Sequence, residues 1–218
     1  MMTVVRPTRN PLFATPLLAA ALLAAGCGGS GNSGSPSANT NQAQAPAQSQ
    51  PSPTTASGSA GSCDPTVQQT QGPYWKADSP EQANLRSGNP SGTPLDVTGK
   101  VLDSDCQPVK GAIVDFWQAD GNGQYDNSGY RLRGHQTTGA DGQWSLKTVV
   151  PGQYPGRTEH IHVKIWNPDG KVALISQLYL PGSKNNDSDG IYQPSTEIQD
   201  FRKSGSGYTG SFDFVLPG

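Results

Sequence analysis

The sequence predicts an all-β domain, a β-sandwich, over residues 63–218. Three observations favour this fold class. Short apolar or alternating segments recur along the chain. Many of the 27 glycines and 19 prolines lie in the gaps between them and end regular structure there. No long stretch carries the 3.6-residue period of a helix, and short strands at this spacing are typical of sandwiches.

The predicted strands follow one another in chain order. The first two lie at residues 95–102 and 111–117, and we expect residues 103–110 to form a hairpin connection between them. The others are predicted at residues 144–149, 160–166, 172–180 and 211–216. Residues 183–210 are rich in Asn, Asp, Ser and Gly, which predicts a loop with one short helix near residues 197–203.

The chain divides into three parts by composition. Residues 1–26 read as a signal peptide of the lipoprotein type, because Arg6 and Arg9 precede an apolar stretch that ends just before Cys27. The stretch is short for a membrane span, and a plain secretory signal without lipidation of Cys27 is the alternative. Residues 27–62 form a Ser/Gly/Pro/Gln-rich tether with no core residues and a reach of roughly 30 Å. We therefore expect an exported protein, either a cell-surface lipoprotein held to the membrane through a lipid anchor or a secreted protein.

Two cysteines remain in the predicted domain, Cys63 and Cys106. Disulfides form in oxidising compartments outside the cytoplasm, so the even count predicts a bond between them. The net charge of −2 indicates no nucleic-acid binding.

Four residues suggest a metal centre: Tyr125, Tyr154, His160 and His162. Side chains alternate along a strand, so both imidazoles should leave one face of residues 160–166 while Ile161 and its apolar neighbours face the core. Tyr154 lies in a Pro/Gly-rich turn that can fold back over this strand. Two phenolates and two imidazoles form a hard, anionic donor set that favours Fe(III).

Other metal sites fit the sequence less well. A facial triad with two histidines and one carboxylate would use Glu159, which precedes His160 and should point to the opposite face of the strand. A zinc or copper site with three histidines would need His135, which we interpret as a loop or strand-edge residue.

The motifs around these residues resemble the intradiol ring-cleavage dioxygenases, most closely those of the protocatechuate 3,4-dioxygenase type and their secreted relatives. The resemblance runs from about residue 71 to residue 216. It is carried by the segments WQADGNGQY (117–125), TGADGQWSLKT (138–148), PGQY (151–154), RTEHIH (157–162) and LISQLYL (174–180).

The resemblance implies a role for each residue. Tyr125 would be the phenolate that stays bound to Fe(III), Tyr154 the phenolate that the substrate displaces, and His160 and His162 the imidazole ligands. Further residues would line the substrate site: Arg157 and Gln177, and more weakly Tyr74 and Trp117. The implied reaction is cleavage of a catechol by O2 between its two hydroxylated carbons to a cis,cis-muconate.

A second class of function stays open at this point. The segment from Val97 to Ala112 also resembles repeats of non-catalytic, transthyretin-like or carbohydrate-facing modules on secreted proteins. Fold alone does not separate the two classes, and iron content would. The sequence also leaves open which catechol is the substrate and the oligomeric state, for which a homo-oligomer is one alternative.

Overall fold

The computed structural model describes residues 63–218. The predicted signal peptide, the lipidation site Cys27 and the tether lie outside the described residues. In the described part the chain forms two β-sheets and two short 3₁₀ turns, Asn186–Ser188 and Pro194–Thr196, which confirms the predicted β-sandwich. No helix among these residues is long and apolar enough to cross a bilayer.

The two sheets divide the strands between them. The first sheet has the order β4-β1-β8-β7, with β9 also paired to β1, and the second has the order β3-β2-β5-β6. The strands are β1 Pro94–Leu102, β2 Ile113–Trp117, β3 Arg133–Thr137, β4 Gln143–Val149, β5 His160–Trp166, β6 Val172–Tyr179, β7 Gln199–Ser204, β8 Gly207–Ser211 and β9 Phe214–Val215.

The hydrophobic core lies between the sheets. On β5, Ile161, Val163 and Ile165 are fully buried in it, as the alternation of the strand predicts. The opposite face of β5 carries His160, His162 and Lys164, and this face is also covered, because all three residues are less than 10% exposed. β5 is therefore buried on both faces, and its polar face holds the two histidine candidates.

Three expectations about the elements were wrong. Residues 103–110 do not connect a hairpin, because β1 and β2 belong to different sheets and the segment crosses between them. Residues 197–203 form no helix, since most of this segment belongs to β7, which pairs with β8 across a turn at Gly205. The predicted last strand is divided into the end of β8 and the short β9. The sequence prediction also missed β3, which places His135 on a strand at the sheet edge.

An N-terminal strap, residues 63–85, runs along three sheet edges. Its backbone bonds to β6 at Ile175, to β3 at His135 and to β4 at Lys147. Cys63, at its start, forms a disulfide with Cys106, with 5.3 Å between the Cα atoms. The strap thus satisfies backbone groups that exposed edge strands would present to other chains.

Candidate metal centre

The polar face of the second sheet places the site residues in one row. Cross-strand pairing puts Arg133 opposite Trp117, Trp117 opposite His162, and His162 opposite Gln177. His160 lies one row further along, opposite Tyr179. Because side chains two residues apart on a strand share a face, His160 and His162 leave β5 side by side.

Three donor atoms of the predicted ligands converge. The Nε2 atoms of His160 and His162 are 3.1 Å apart, and the Tyr125 hydroxyl lies 3.4 Å from the first and 3.1 Å from the second. Adjacent ligands at right angles on a metal with bonds of about 2.1 Å are separated by about 3.0 Å. The observed spacing therefore suits coordination of one ion by these three atoms.

Both imidazoles are held neutral. Burial, with Arg157 as a second cause, lowers the pKa of His160 to about 4, and burial lowers the pKa of His162 well below its ordinary value. The Nδ1 of His160 donates to the Thr158 carbonyl oxygen at 2.7 Å, which leaves the Nε2 lone pair aimed at the cluster. A neutral imidazole with a free lone pair is the form that binds metals.

Tyr125 reaches the cluster because two loops pack tightly. Residues 120–124 lie against residues 151–154, with the Gly152 amide donating to the Asp120 carbonyl at 2.8 Å. Gly123 has φ +77°, and a Cβ there would lie 2.0 Å from the Gln153 carbonyl oxygen, so this contact needs glycine. Burial, reinforced by the nearby Tyr154, raises the pKa of Tyr125. A bound cation is what would favour its phenolate form.

Tyr154 lies beside the converging atoms and at the edge of a cleft. Its ring centroid is 6.0 Å from that of Tyr125 and 6.2 Å from that of His160. It also lines a cleft of ≈ 400 Å³ together with Arg157 and Asp189. Tyr154 therefore has an open side toward a space where a small molecule fits.

Arg157 is held in place by three partners. Its Nε donates to the Asp189 carboxylate, with the nearer oxygen at 2.8 Å. Its Nη2 donates to the Gln177 side-chain oxygen at 2.6 Å and to the Tyr179 hydroxyl at 3.2 Å. Burial alone would lower the pKa of Arg157, but the hydrogen bond to Asp189, together with the Coulombic attraction of Asp189 and of the nearby tyrosines, outweighs burial and raises it. The guanidinium therefore stays charged beside Tyr154.

The two weaker site predictions also lie at the cluster. Tyr74 stacks on Tyr125, with 4.2 Å between ring centroids, and meets Tyr154 edge-on at 5.8 Å. Trp117 stacks on His162 at 4.8 Å but is only 1% exposed, which places it behind the imidazole rather than against the cleft. Tyr74 thus orients the tyrosine ligands, and Trp117 supports a histidine ligand.

Ferric iron fits these residues better than the alternatives do. Among residues 63–218, no three His, Cys, Asp or Glu side chains are grouped closely enough to hold a metal, so a site here needs tyrosine oxygens. Glu159 bonds to Thr158, Ser183 and Gln153 instead of turning to the cluster. His135, which lies on β3, is hydrogen-bonded to Ser79. Phenol oxygens with imidazole nitrogens form a hard donor set suited to Fe(III).

Two residues of the site were not predicted from the sequence. Asp189 has a side chain only 1% exposed and accepts from Arg157 and from the backbone amides of Thr158 and Ile191. Tyr179 bonds to Arg157 and Gln177. Asp189 lies in a loop 32 residues from its partner, and no local pattern marks such a contact. The strand register that places Tyr179 next to Arg157 is likewise invisible in one sequence.

Comparison with known proteins identifies the family. The family described as Dioxygenase matches residues 70–218. The 6-chlorohydroxyquinol 1,2-dioxygenase of Cupriavidus pinatubonensis is 32% identical over 172 residues, which cover 66% of this chain and 62% of that protein. The protocatechuate 3,4-dioxygenase β chain of Burkholderia cepacia is 29% identical, over 62% of this chain and 68% of that one.

A solved structure extends the match to the fold. The dioxygenase domain of a dioxygenase carbohydrate-binding protein fusion from Streptomyces sp. SirexAA-E is 49% identical, with a TM-score of 0.67, and the match covers 71% of this chain and 99% of that domain. The intradiol ring-cleavage dioxygenase of Tetranychus urticae is 25% identical with a TM-score of 0.66. This chain therefore belongs to the intradiol ring-cleavage dioxygenase family.

Proposed function

We propose that this protein is an Fe(III)-dependent dioxygenase that cleaves a catechol with O2 between its two hydroxylated carbons. The observation that carries the proposal is the convergence of the His160 and His162 Nε2 atoms and the Tyr125 hydroxyl at 3.1 to 3.4 Å, beside Tyr154. The activities named for the relatives, which act on hydroxyquinols, chlorocatechols and protocatechuate, support the reaction class.

The reaction balances without an organic cofactor. The carbon–carbon bond between the hydroxylated carbons breaks, and both atoms of O2 enter the product as a cis,cis-muconate. O2 is reduced and the two ring carbons are oxidised to carboxyl carbons, so no further reductant is needed. Bound Fe(III) would supply Lewis-acid activation of the catechol toward O2.

The side chains of this chain would perform the remaining tasks. Tyr125, Tyr154, His160 and His162 would hold the iron. Tyr154, which faces the cleft, would leave as the substrate binds and accept one catechol proton on its phenolate oxygen. Arg157, fixed by Asp189, would stabilise negative charge that develops on the ring.

We further propose that the reaction takes place outside the cytoplasm, in aromatic catabolism. The arginines and apolar stretch before Cys27 support export, and the disulfide between Cys63 and Cys106 suits an oxidising compartment. Lipidation of Cys27 would hold the domain at a membrane surface through residues 28–62. We also propose that the protein assembles as a homo-oligomer.

Iron analysis and O2 uptake test the proposal on the full-length protein. We expect about one iron per chain, a visible colour from phenolate-to-iron charge transfer, and O2 uptake with a catechol. The product is identified by mass as substrate plus both oxygen atoms. A colourless, iron-free protein that takes up no O2 with any catechol after ferric reconstitution would contradict the proposal.

A further inference from the structure

The charges around the cleft beside Tyr154 limit the class of catechol that fits. The cleft has one cationic and one anionic side chain, Arg157 and Asp189, which form an ion pair at 2.8 Å. The other lining residues are uncharged, and Gln153, Asn185 and Ser188 among them offer hydrogen-bonding groups. The lining therefore has no net charge and several neutral polar contacts.

Arg157 has little capacity left for a carboxylate on the substrate. Its Nε is taken by Asp189, and its Nη2 donates to both Gln177 and Tyr179. Bidentate binding of a carboxylate requires two neighbouring nitrogens with free N–H groups. Among the contacts of the described residues only Nη1 is left for this purpose, and the Asp189 carboxylate next to it repels a second anion.

Three cations outside the cleft do not face it. Arg133 is only 1% exposed and donates to two backbone carbonyl oxygens. The Lys164 ammonium lies over two indole rings, at 4.0 and 4.9 Å, and donates to a glutamine oxygen. Lys184 lines a neighbouring cleft together with Glu159. None of them is among the residues that face the cleft beside Tyr154.

We propose that this site selects catechols whose ring carries no ionised substituent and discriminates against ring carboxylates. The inference rests on the proposed function and names its substrate class. A ring carboxylate would lie near the Asp189 carboxylate without gaining a free counter-charge, which is unfavourable. A hydroxyl or hydrogen substituent carries no such cost, and a hydroxyl can bond to the neutral polar side chains. Hydroxyquinol and catechol itself fit this description, and protocatechuate does not.

The test compares three substrates on the iron-loaded, full-length protein. O2 uptake gives kcat/KM for catechol, hydroxyquinol and protocatechuate, and anaerobic calorimetry gives their affinities without turnover. We expect kcat/KM for protocatechuate to be at least about tenfold lower than for catechol, with a parallel loss of affinity.

A charge variant makes the test specific to the cleft. Ser188→Lys adds a cation to the lining and should raise the ratio of protocatechuate to catechol kcat/KM by about threefold or more, an effect that salt weakens. Ser145→Lys on β4, in the other sheet, adds the same charge and should leave the ratio unchanged. Protocatechuate turnover equal to or above that of catechol would overturn this inference but leave the proposed function standing. Absence of turnover with all three substrates would overturn both.

Discussion

At the scale of single residues, the candidate ligands are held in place by neighbouring groups. The Thr158 carbonyl fixes the His160 ring through Nδ1, and Trp117 stacks flat on His162, with an interplanar angle of 3°. Tyr74 holds the Tyr125 ring in the same way. Ligands fixed by such packing lose little side-chain freedom when they bind a metal.

The first prediction separates Tyr154 from the histidines. Tyr154→Phe should retain much of the iron, because three converging donors remain, but should bind catechol more slowly and with altered proton release. His160→Ala or His162→Ala should lose iron, because each removes one of the three converging atoms. Iron content, the visible spectrum and stopped-flow binding distinguish the variants. If Tyr154→Phe bound catechol at the wild-type rate with unchanged proton release, Tyr154 would not be the displaced ligand.

The second prediction concerns the ion pair behind Arg157. Burial raises the pKa of Asp189, but hydrogen bonds from Thr158, Ile191 and Arg157 outweigh it, so the folded-state pKa lies below the unfolded value. Asp189→Asn should therefore reduce the free energy of unfolding by about 2 kcal/mol at neutral pH. A depressed carboxyl pKa stabilises the fold above the unfolded pKa of about 3.9, and this stabilisation is lost as the pH falls through the folded value.

Urea unfolding of the iron-free protein between about pH 3 and pH 7 measures this difference. The difference in the free energy of unfolding between wild type and Asp189→Asn should be largest above about pH 4 and should decrease below it. Asp187→Asn, an exposed neighbour in the same loop, is the matched control and should show no such gap. A gap that stayed constant across the pH range would show that the Asp189 charge is not what stabilises the loop.

At the scale of elements, the N-terminal strap connects the sheet edges to the site. Asp115, in β2 and 4% exposed, anchors it by accepting from Ser79 at 2.8 Å and from the Trp75 indole at 3.0 Å. Burial raises the pKa of Asp115, and these two hydrogen bonds oppose the shift. Trp75 directly follows Tyr74, so the anchor also fixes the ring that stacks on Tyr125.

The third prediction tests this anchor. In Asp115→Asn one of the two acceptors becomes a donor, so one hydrogen bond to the strap is lost and stability should fall by about 1 to 2 kcal/mol. Amide exchange should increase across residues 72–80, and iron should be retained. Glu81→Gln, an exposed change on the same strap, should leave exchange unaltered. Unchanged protection in Asp115→Asn would mean that the backbone contacts alone hold the strap.

The strands also show what one sequence can predict. The apolar alternation of β5 predicted its core face and the shared face of its histidines, because that pattern is local. The β7–β8 hairpin was missed because β7, at the edge of its sheet, has a single apolar residue, Phe201, so no apolar alternation marks it. The Arg157–Asp189 pair and the division of strands between sheets depend on contacts distant in sequence, which strand periodicity does not encode.

At the scale of the whole molecule, the two sheets have different tasks. Both contribute one face to the core, but only the second sheet carries the site on its other face, under the strap. The strap is covalently tied at its start, where Cys63 bonds to Cys106 and its amide donates to the Ser104 carbonyl. Stability of the molecule and closure of the site are therefore linked through the disulfide.

The last prediction follows from this link. The bridge closes a segment with a sequence separation of 43 residues, and the chain-entropy model assigns such a loop about 4 kcal/mol of stability. The free energy of unfolding of the double variant Cys63→Ser, Cys106→Ser should therefore be lower by that amount. The variant should unfold at a lower urea concentration and show faster amide exchange in the strap. Wild type treated with reductant should behave like the variant, and peptide mapping without reductant should recover one linked pair from the exported protein. Two free thiols in that protein, or equal urea midpoints for wild type and variant, would show that the sheets alone hold the strap in place.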